Sequence, residues 1–546
     1  MSYITADEMK KLLDVKTTYR DRLYCRGFLI TNDKLTKLSE YPFYNNWNEF
    51  SVNTDCGNYF IYTQKYVNLY TFEDAKRILF IIGHAYNPFS MQYDEKVILK
   101  DLSTSFNESE ETFWDVESEL TGVFCLGYIN KTDGSVTVST DCAGMQMIYY
   151  GIIDDKIYFT SHSKLVADFY NLEQTDYIKR LIKNRFWHFW GTWLPGDLSP
   201  YEELKRLQPN CKIVYKKSET KIYIERYFPR HKIEETKTEE EYQNTIKELG
   251  RIMSNNMTLI AKKWADKKVS ISVTGGRDSM TTLACTNGNY DKYSYFSYIS
   301  NDEESVDAYA AKDILNALDL EHELFKIPEE WEGYKDIDVF KKIMECNAGC
   351  IGANNQNDLK KRLYFCTNPP CDVEVKSWVN EIGRGRCYDR FNIKKFPEKV
   401  SPSYWRTLHK AYIYDFKLMK DTDKVFKEYL DKYYSKDEFE KLFWVVFYHW
   451  EFSWAGGEGV FLTSEQRVPY EITIPFNNRK YLNLMLTVPL EKRKVDSIPK
   501  DLIAYKNHKI TDTQICIKDV SHTNFRAFIE RIHLEIYSRI KFNLKD

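Results

Sequence analysis

Residues Ser272-Val273-Thr274-Gly275-Gly276-Arg277-Asp278-Ser279 join a short β-branched run to a hydroxyl-headed helix through two adjacent glycines. The run Val269–Val273 predicts a buried strand, and Ser279–Cys285 predicts the start of a helix. Glycines let a backbone approach an anion closely, while turn amides and a helix N-terminus supply positive potential. Ser272, Thr274, Gly275, Gly276 and Ser279 are therefore candidate phosphate-binding residues. Asp278 beside a phosphate site suits a magnesium ligand, because magnesium favours carboxylate plus phosphate oxygens. An ordinary strand-to-helix turn, with Asp278 as N-terminal cap, is the competing reading. No Gly-Lys-Ser/Thr follows, so this is not a Walker A loop.

Downstream, Tyr293–Ile299 (carrying Tyr298) and Glu323–Ile327 predict further strands, with a helix over Val306–Leu318 between them. Alternating strands and helices imply a doubly wound parallel α/β sheet. From Pro402 to Trp454 the pattern is helical and aromatic. Upstream, the charged stretch from Lys232 to Glu241 leads into a helix expected over Glu239–Lys263. Before it, short runs read as strands: Leu23–Thr31, Tyr59–Thr63, Gly122–Asn130, Ser135–Ser139, Met147–Ile152 and Lys156–Thr160. Asn130–Gly134 and Asp154-Asp155 read as hairpin turns. Two domains are expected, over 1–231 and 239–546.

A chain of 546 residues accommodates such units with sizeable cores. Lys plus Arg total 77 against 80 Asp plus Glu, a net charge of −3 that gives no nucleic-acid signal. Hydrophobic residues at 43% exclude a disordered chain, and 22 Gly with 15 Pro exclude collagen-like or linker-dominated readings. No repeat period points to a solenoid or propeller. The longest uncharged apolar runs, such as Ile78–Gly83 and Phe443–Phe447, fall far short of the ~18 residues of a membrane helix. The opening Met1-Ser-Tyr-Ile-Thr-Ala-Asp-Glu8 lacks an apolar signal core. A cytoplasmic protein with 12 reduced cysteines is the expectation.

The segment Thr274–Ser279 resembles the Ser-Gly-Gly-x-Asp-Ser pyrophosphate loop of N-type ATP pyrophosphatases, and its flanks are similar to the asparagine synthetase superfamily. Ser305-Val-Asp307-Ala-Tyr-Ala-Ala311 and Leu318-Asp-Leu-Glu-His322-Glu resemble that family's second helix and strand entry. Glu471-Ile-Thr-Ile-Pro475-Phe476-Asn-Asn-Arg479 resembles its late E-x-R-x-PFLD segment. In the first half, Asp141-Cys-Ala-Gly144, Thr160-Ser-His-Ser-Lys164 and Leu194-Pro-Gly-Asp197 resemble segments of class II glutamine amidotransferase domains, in the family's order.

The resemblance implies an N-terminal Ntn-hydrolase-like (class II glutamine amidotransferase-like) β-rich sandwich joined to a C-terminal α/β ATP-pyrophosphatase domain. It implies an ATP-dependent carbon–nitrogen ligase that adenylates a carboxylate, releases pyrophosphate and couples an amine. ATP and Mg2+ are the implied cofactors. A small-molecule or peptide acid and amine are the substrates, in specialised-metabolite, peptide or glycan modification. A homodimer or a biosynthetic partner protein is compatible with it.

Two departures bear on activity. The family's glutaminase uses a cysteine directly after the initiator Met, whereas this chain begins Met1-Ser2-Tyr3. Cys25 is then expected to be a strand cysteine, and the domain glutaminase-dead, as in β-lactam synthetases and lasso-peptide cyclases. Val379-Asn380-Glu381-Ile382-Gly383-Arg384-Gly385 resembles the family's SGEGSDE segment, with Glu381 as the acid that assists amide formation. Arg384 stands where the family places a metal-binding Asp. A guanidinium cannot coordinate magnesium but can clamp a phosphate. Either Asp278 and phosphates hold the metal alone, or Arg384 partly replaces a cation, or adenylation is lost. The resemblance thus carries nucleotide contacts to Tyr298, Val379, Asn380 and Arg384 as well as the glycine turn. A charge-neutralising lysine is carried to Lys506 or Lys509.

Other constellations have plainer accounts. Cys346, Cys350, Cys366, Cys371 and Cys387 could bind zinc, or be scattered core thiols. Trp187, Trp190 and Trp193 could line a pocket or pack between domains. Alternatives to the ligase are an amidating synthetase drawing ammonia and a nucleotide-binding scaffold without catalysis.

Overall fold

A computed structural model describes residues 4–184, 187, 193–351, 355–385, 401–410, 415–434 and 444–512. The first half contains twelve strands among these residues. They are β1 (Phe28–Thr31), β2 (Trp47–Thr54), β3 (Gly57–Gln64), β4 (Leu69–Glu73), β5 (Arg77–Tyr86) and β6 (Thr121–Asn130). β7 (Val136–Thr140), β8 (Tyr149–Ile153), β9 (Lys156–Thr160), β10 (Lys205–Arg206), β11 (Cys211–Lys216) and β12 (Lys221–Arg226) complete them. They form two antiparallel six-stranded sheets, ordered β10-β8-β9-β1-β3-β2 and β12-β11-β7-β6-β5-β4.

Alternation along a strand sends successive side chains to opposite faces. Phe28 and Ile30 of β1 share a core with Leu79, Ile81 and Val123 of the second sheet, while Leu29 faces the other way. That outer face packs Leu29, Phe60 and Tyr62 against Met9, Leu165 and Phe340, from helices Ala6–Val15, Ser163–Tyr170 and Ile337–Asn347. The second sheet's outer face takes Ile98, Leu102 and Phe113 from helices Glu95–Glu108 and Glu110–Glu117. The result is a helix–sheet–sheet–helix stack.

Local chemistry explains where elements begin. Asp154 and Asp155 adopt φ of 49° and 60°, the left-handed pair that a two-residue hairpin between β8 and β9 requires. The helix Glu239–Lys263 starts on a capping box between Thr238 and Glu241. The expected strand Leu23–Thr31 begins only at Phe28, because Tyr24 and Arg26 hold φ of 48° and 56°. Cys25 therefore sits in a buried turn before β1 and not in a strand.

The second half is built on β13 (Val269–Ser272), β14 (Ser294–Ile299), β15 (Glu323–Lys326), β16 (Val373–Val375) and β17 (Glu471–Thr473). These run parallel in the order β15-β14-β13-β16-β17.

Buried polar contacts join the halves. Arg479 pairs with Glu117 at 2.6 Å and donates to the carbonyls of Thr140 (2.8 Å) and Asp141 (3.0 Å). Asn477 donates to the Asp141 carboxylate at 2.9 Å. Burial pushes the Glu117 carboxyl up to about 7 despite Arg479, and burial likewise raises Asp141. The segments Asp141–Gly144 and Glu471–Arg479 thus serve as the joint. Trp187, fully buried, donates its indole N–H to the Ile351 carbonyl at 2.7 Å and packs with Leu418, so it too lies between the halves. Trp193 is half-buried beside His409, with ring centroids 5.0 Å apart. Trp190 and Cys387 lie outside the described residues.

Candidate functional site

The chain leaves β13 for β14 and β15 on one side, then crosses to β16 and β17 on the other. In open parallel sheets, ligands bind beyond the carboxyl ends of the strands at such a reversal. A cavity of about 850 Å³ opens there, lined by the glycine turn after β13, by Tyr298 at the end of β14 and by Lys376 to Trp378 after β16. Tyr448–Gly459 winds into π-helical turns, a form that seldom exceeds one turn. It contributes Trp454 and Glu458 to the opposite wall.

The turn is internally braced. The Thr274 N–H donates to the Ser279 hydroxyl at 3.2 Å, and the Gly276 N–H donates to the Thr274 hydroxyl at 3.1 Å. The Gly275 N–H hydrogen-bonds the Asp307 carboxylate, which burial nonetheless pushes up. Helix Arg277–Cys285 takes Gly276 as its N-cap, so Asp278 is a first-turn residue and not the cap. A Cβ at Gly276 would lie 3.2 Å from the Thr274 hydroxyl, crowding the cradle.

Opposite the turn, Val379 holds φ of 77°, a conformation that strains a β-branched residue by ~1–3 kcal/mol. The strained step directs Asn380 inward, where its amide donates to Asp278 at 2.6 Å, and places Glu381 on the cavity wall. Arg384 is buried and sits between two carboxylates. Its Nη1 donates to both oxygens of Asp278 at 3.0 and 2.9 Å. Its Nε and Nη2 donate to the two oxygens of Asp496 at 2.8 and 2.7 Å. Burial alone would lower its pKa, but Asp278 and Asp496 raise it further above the ordinary guanidinium value. Arg277 stands 3.5 Å from Asp496 on the other side.

These contacts bear on two expectations. Magnesium needs oxygen ligands at ~2.0–2.1 Å in near-octahedral array. Both oxygens of Asp278 receive Arg384, so the residues at Asp278 do not fit the ion. Among the described residues no group of three His, Cys, Asp or Glu could hold a metal. Nor does Arg384 stand open as a phosphate clamp, because its fork is committed to carboxylates.

Of the other expected residues, Ser272, Thr274, Gly276, Ser279, Tyr298, Glu381 and Arg384 line the cavity with Asp278. Gly275, Val379, Asn380, Lys506 and Lys509 do not, and Lys509 is exposed beyond helix Ser497–Lys506. Lys500 lines the wall instead. Lys376, Asp496 and Lys500 carry no family motif. For Lys376 the available signal was its place directly after a parallel strand. Cys346 and Cys350 hydrogen-bond each other, whereas Cys366 lies near Arg22 and Cys371 near Glu374. His322 donates to or accepts from the Ser297 hydroxyl at 2.9 Å.

Behind the cavity lies a buried polar cluster. Lys361 pairs with Glu304 at 2.7 Å and sits 4.4 Å from the Tyr298 ring centroid. Arg362, Glu374, Tyr470 and Glu465 follow inward, and Oε2 of Glu465 has no hydrogen-bond partner. Burial pushes Glu465 up to about 8, against the opposing pull of Arg362.

Fold and site together define a two-part chain with a glycine turn at the reversal of a parallel sheet. No family model matches the chain, and no curated protein matches it in sequence. Among solved structures it is similar to the allosteric regulatory enzyme of purine biosynthesis, at 10% identity and a TM-score of 0.22. That match covers 58% of this chain and 62% of the other. It is also similar to glutamine phosphoribosylpyrophosphate amidotransferase from B. subtilis complexed with ADP and GMP. Identity is again 10% and the TM-score 0.22, over 72% of this chain and 76% of the other.

Proposed function

We propose that the cavity binds an adenine nucleotide and that the protein is an ATP-dependent ligase joining a carboxylate to an amine. The observation that carries this is the glycine turn forming the floor of a cavity at the sheet's reversal point. In the proposed reaction a substrate carboxylate oxygen attacks the α-phosphorus of ATP, pyrophosphate leaves, and an acyl-adenylate forms. The amine then attacks the acyl carbon and AMP departs. The first-turn amides of the helix that starts at Arg277, which has no side-chain cap, would stabilise phosphate charge, and Glu381 would accept the proton lost by the amine. Lys376 and Lys500, which line the cavity, are the cations on hand for charge developing as the adenylate reacts. A second reading, a nucleotide-binding protein without turnover, is favoured by the pairing of Arg384 with Asp278.

Gly276→Val tests the shared part. Its branches would enter the cradle, and calorimetry should show nucleotide affinity at least tenfold weaker in a variant with parental circular dichroism. Unchanged affinity would remove the nucleotide from this site. Pyrophosphate release across candidate acid–amine pairs separates the readings: amine-dependent release supports the ligase, and its absence with intact AMP binding supports the non-catalytic protein.

A further inference from the structure

We infer that Arg384 is the resident cation of this pocket, seated where a divalent ion would have to stand, so that the pocket binds its phosphate ligand without a protein-bound metal and favours few phosphate charges over many. The inference rests on the proposed nucleotide reading for the identity of the ligand, but not for the role of Arg384.

Three observations carry it. The guanidinium is buried and makes four contacts of 2.7 to 3.0 Å to the oxygens of Asp278 and Asp496. Neither carboxylate has an oxygen left without a cationic partner. Asn380 adds a further donor to Asp278, at 2.6 Å, which helps hold that carboxylate against the arginine. Arginine stays protonated under all ordinary conditions, so it cannot vacate the place by losing charge. Finally, six acidic and four basic side chains line the cavity, an excess of two negative charges. Arg384 and Arg277 balance Asp278 and Asp496, so among the lining side chains the excess falls on Glu304, Asp307, Glu381 and Glu458 against Lys376 and Lys500. A triphosphate would therefore meet a field that a monophosphate tolerates better. Any divalent ion would enter as the nucleotide's own counterion.

The test uses the purified full-length chain. Manganese titration followed by electron paramagnetic resonance should show no bound ion that Asp278→Asn removes. AMP affinity by calorimetry should agree within twofold between EDTA and excess magnesium, and ATP in EDTA should bind at least tenfold more weakly than AMP. Arg384→Met should create a manganese site, and Asp496→Asn in that background should abolish it. If Arg384→Met does not fold, the wild-type titration decides alone. A stoichiometric manganese site in the wild type that is lost in Asp278→Asn overturns the inference, as does metal-free ATP binding more tightly than AMP. Should neither nucleotide bind under any condition, the proposed function falls, while the manganese titration still decides the role of Arg384.

Discussion

Replacing Glu465 by glutamine isolates a single buried charge. The side chain is 1% exposed, one carboxyl oxygen lacks a partner, and burial holds the group at about 8. The unfolded value is 4.5, so the folded state binds the proton more tightly. Stability from this group is complete below pH 4.5, falls as pH rises, and is lost above 8. At 1.36 kcal/mol per pH unit the full loss is about 5 kcal/mol, and relaxation with water entry trims it to a few kcal/mol. Glutamine has nearly the same shape and never ionises. Urea unfolding of both proteins from pH 5 to pH 8.5 should give nearly equal stabilities at the acid end. At the alkaline end the variant should be about 2–4 kcal/mol more stable. Other titrating groups cancel in the difference. A flat difference profile would refute the argument, and a variant less stable at pH 8.5 would show that Arg362 and Lys361 keep the carboxylate charged.

Arg479→Met strands the fully buried Glu117 and should cost about 3–5 kcal/mol. Adding Glu117→Gln should recover part of that in urea midpoints, and a double variant no better than the single would refute the pairing. Cys25 is buried, and burial raises its thiol pKa, so a thiolate nucleophile is disfavoured there. Glutamine should yield no glutamate above background with the parent or with Cys25→Ser; glutaminase activity that Cys25→Ser abolishes would reverse this.

Much of the frame was legible because its signals are local. The charged stretch from Lys232 to Glu241 pointed to helix Glu239–Lys263, whose start the capping box of Thr238 and Glu241 explains, and the paired aspartates fixed the β8–β9 turn. Helix Asp302–Ala317 was read as starting at Val306, its first apolar residue, although Asn301 caps it and its side chain accepts from the Glu304 N–H. At the site, the turn announced itself through consecutive glycines. Its closure did not: Arg384 meets Asp278 across 106 residues and Asp496 across 112, and no local spacing encodes such a meeting. The two family-like segments at Asp141 and Arg479 were visible as motifs, but their role as mutual partners emerged only from the packing.

That partnership sets a clock on biosynthesis. Arg479 follows Glu117 by 362 residues, so at ~5–20 residues per second a ribosome needs roughly 20–70 s to deliver the arginine after the glutamate has emerged. During that interval the nascent first half holds an acid without its cation and a loop around Asp141 without Asn477. A proton is the natural placeholder for a carboxyl that burial favours in its neutral form. Fragments severed near residue 235 would meet the same vacancy, and two separately made pieces would find in it a reason to reassociate.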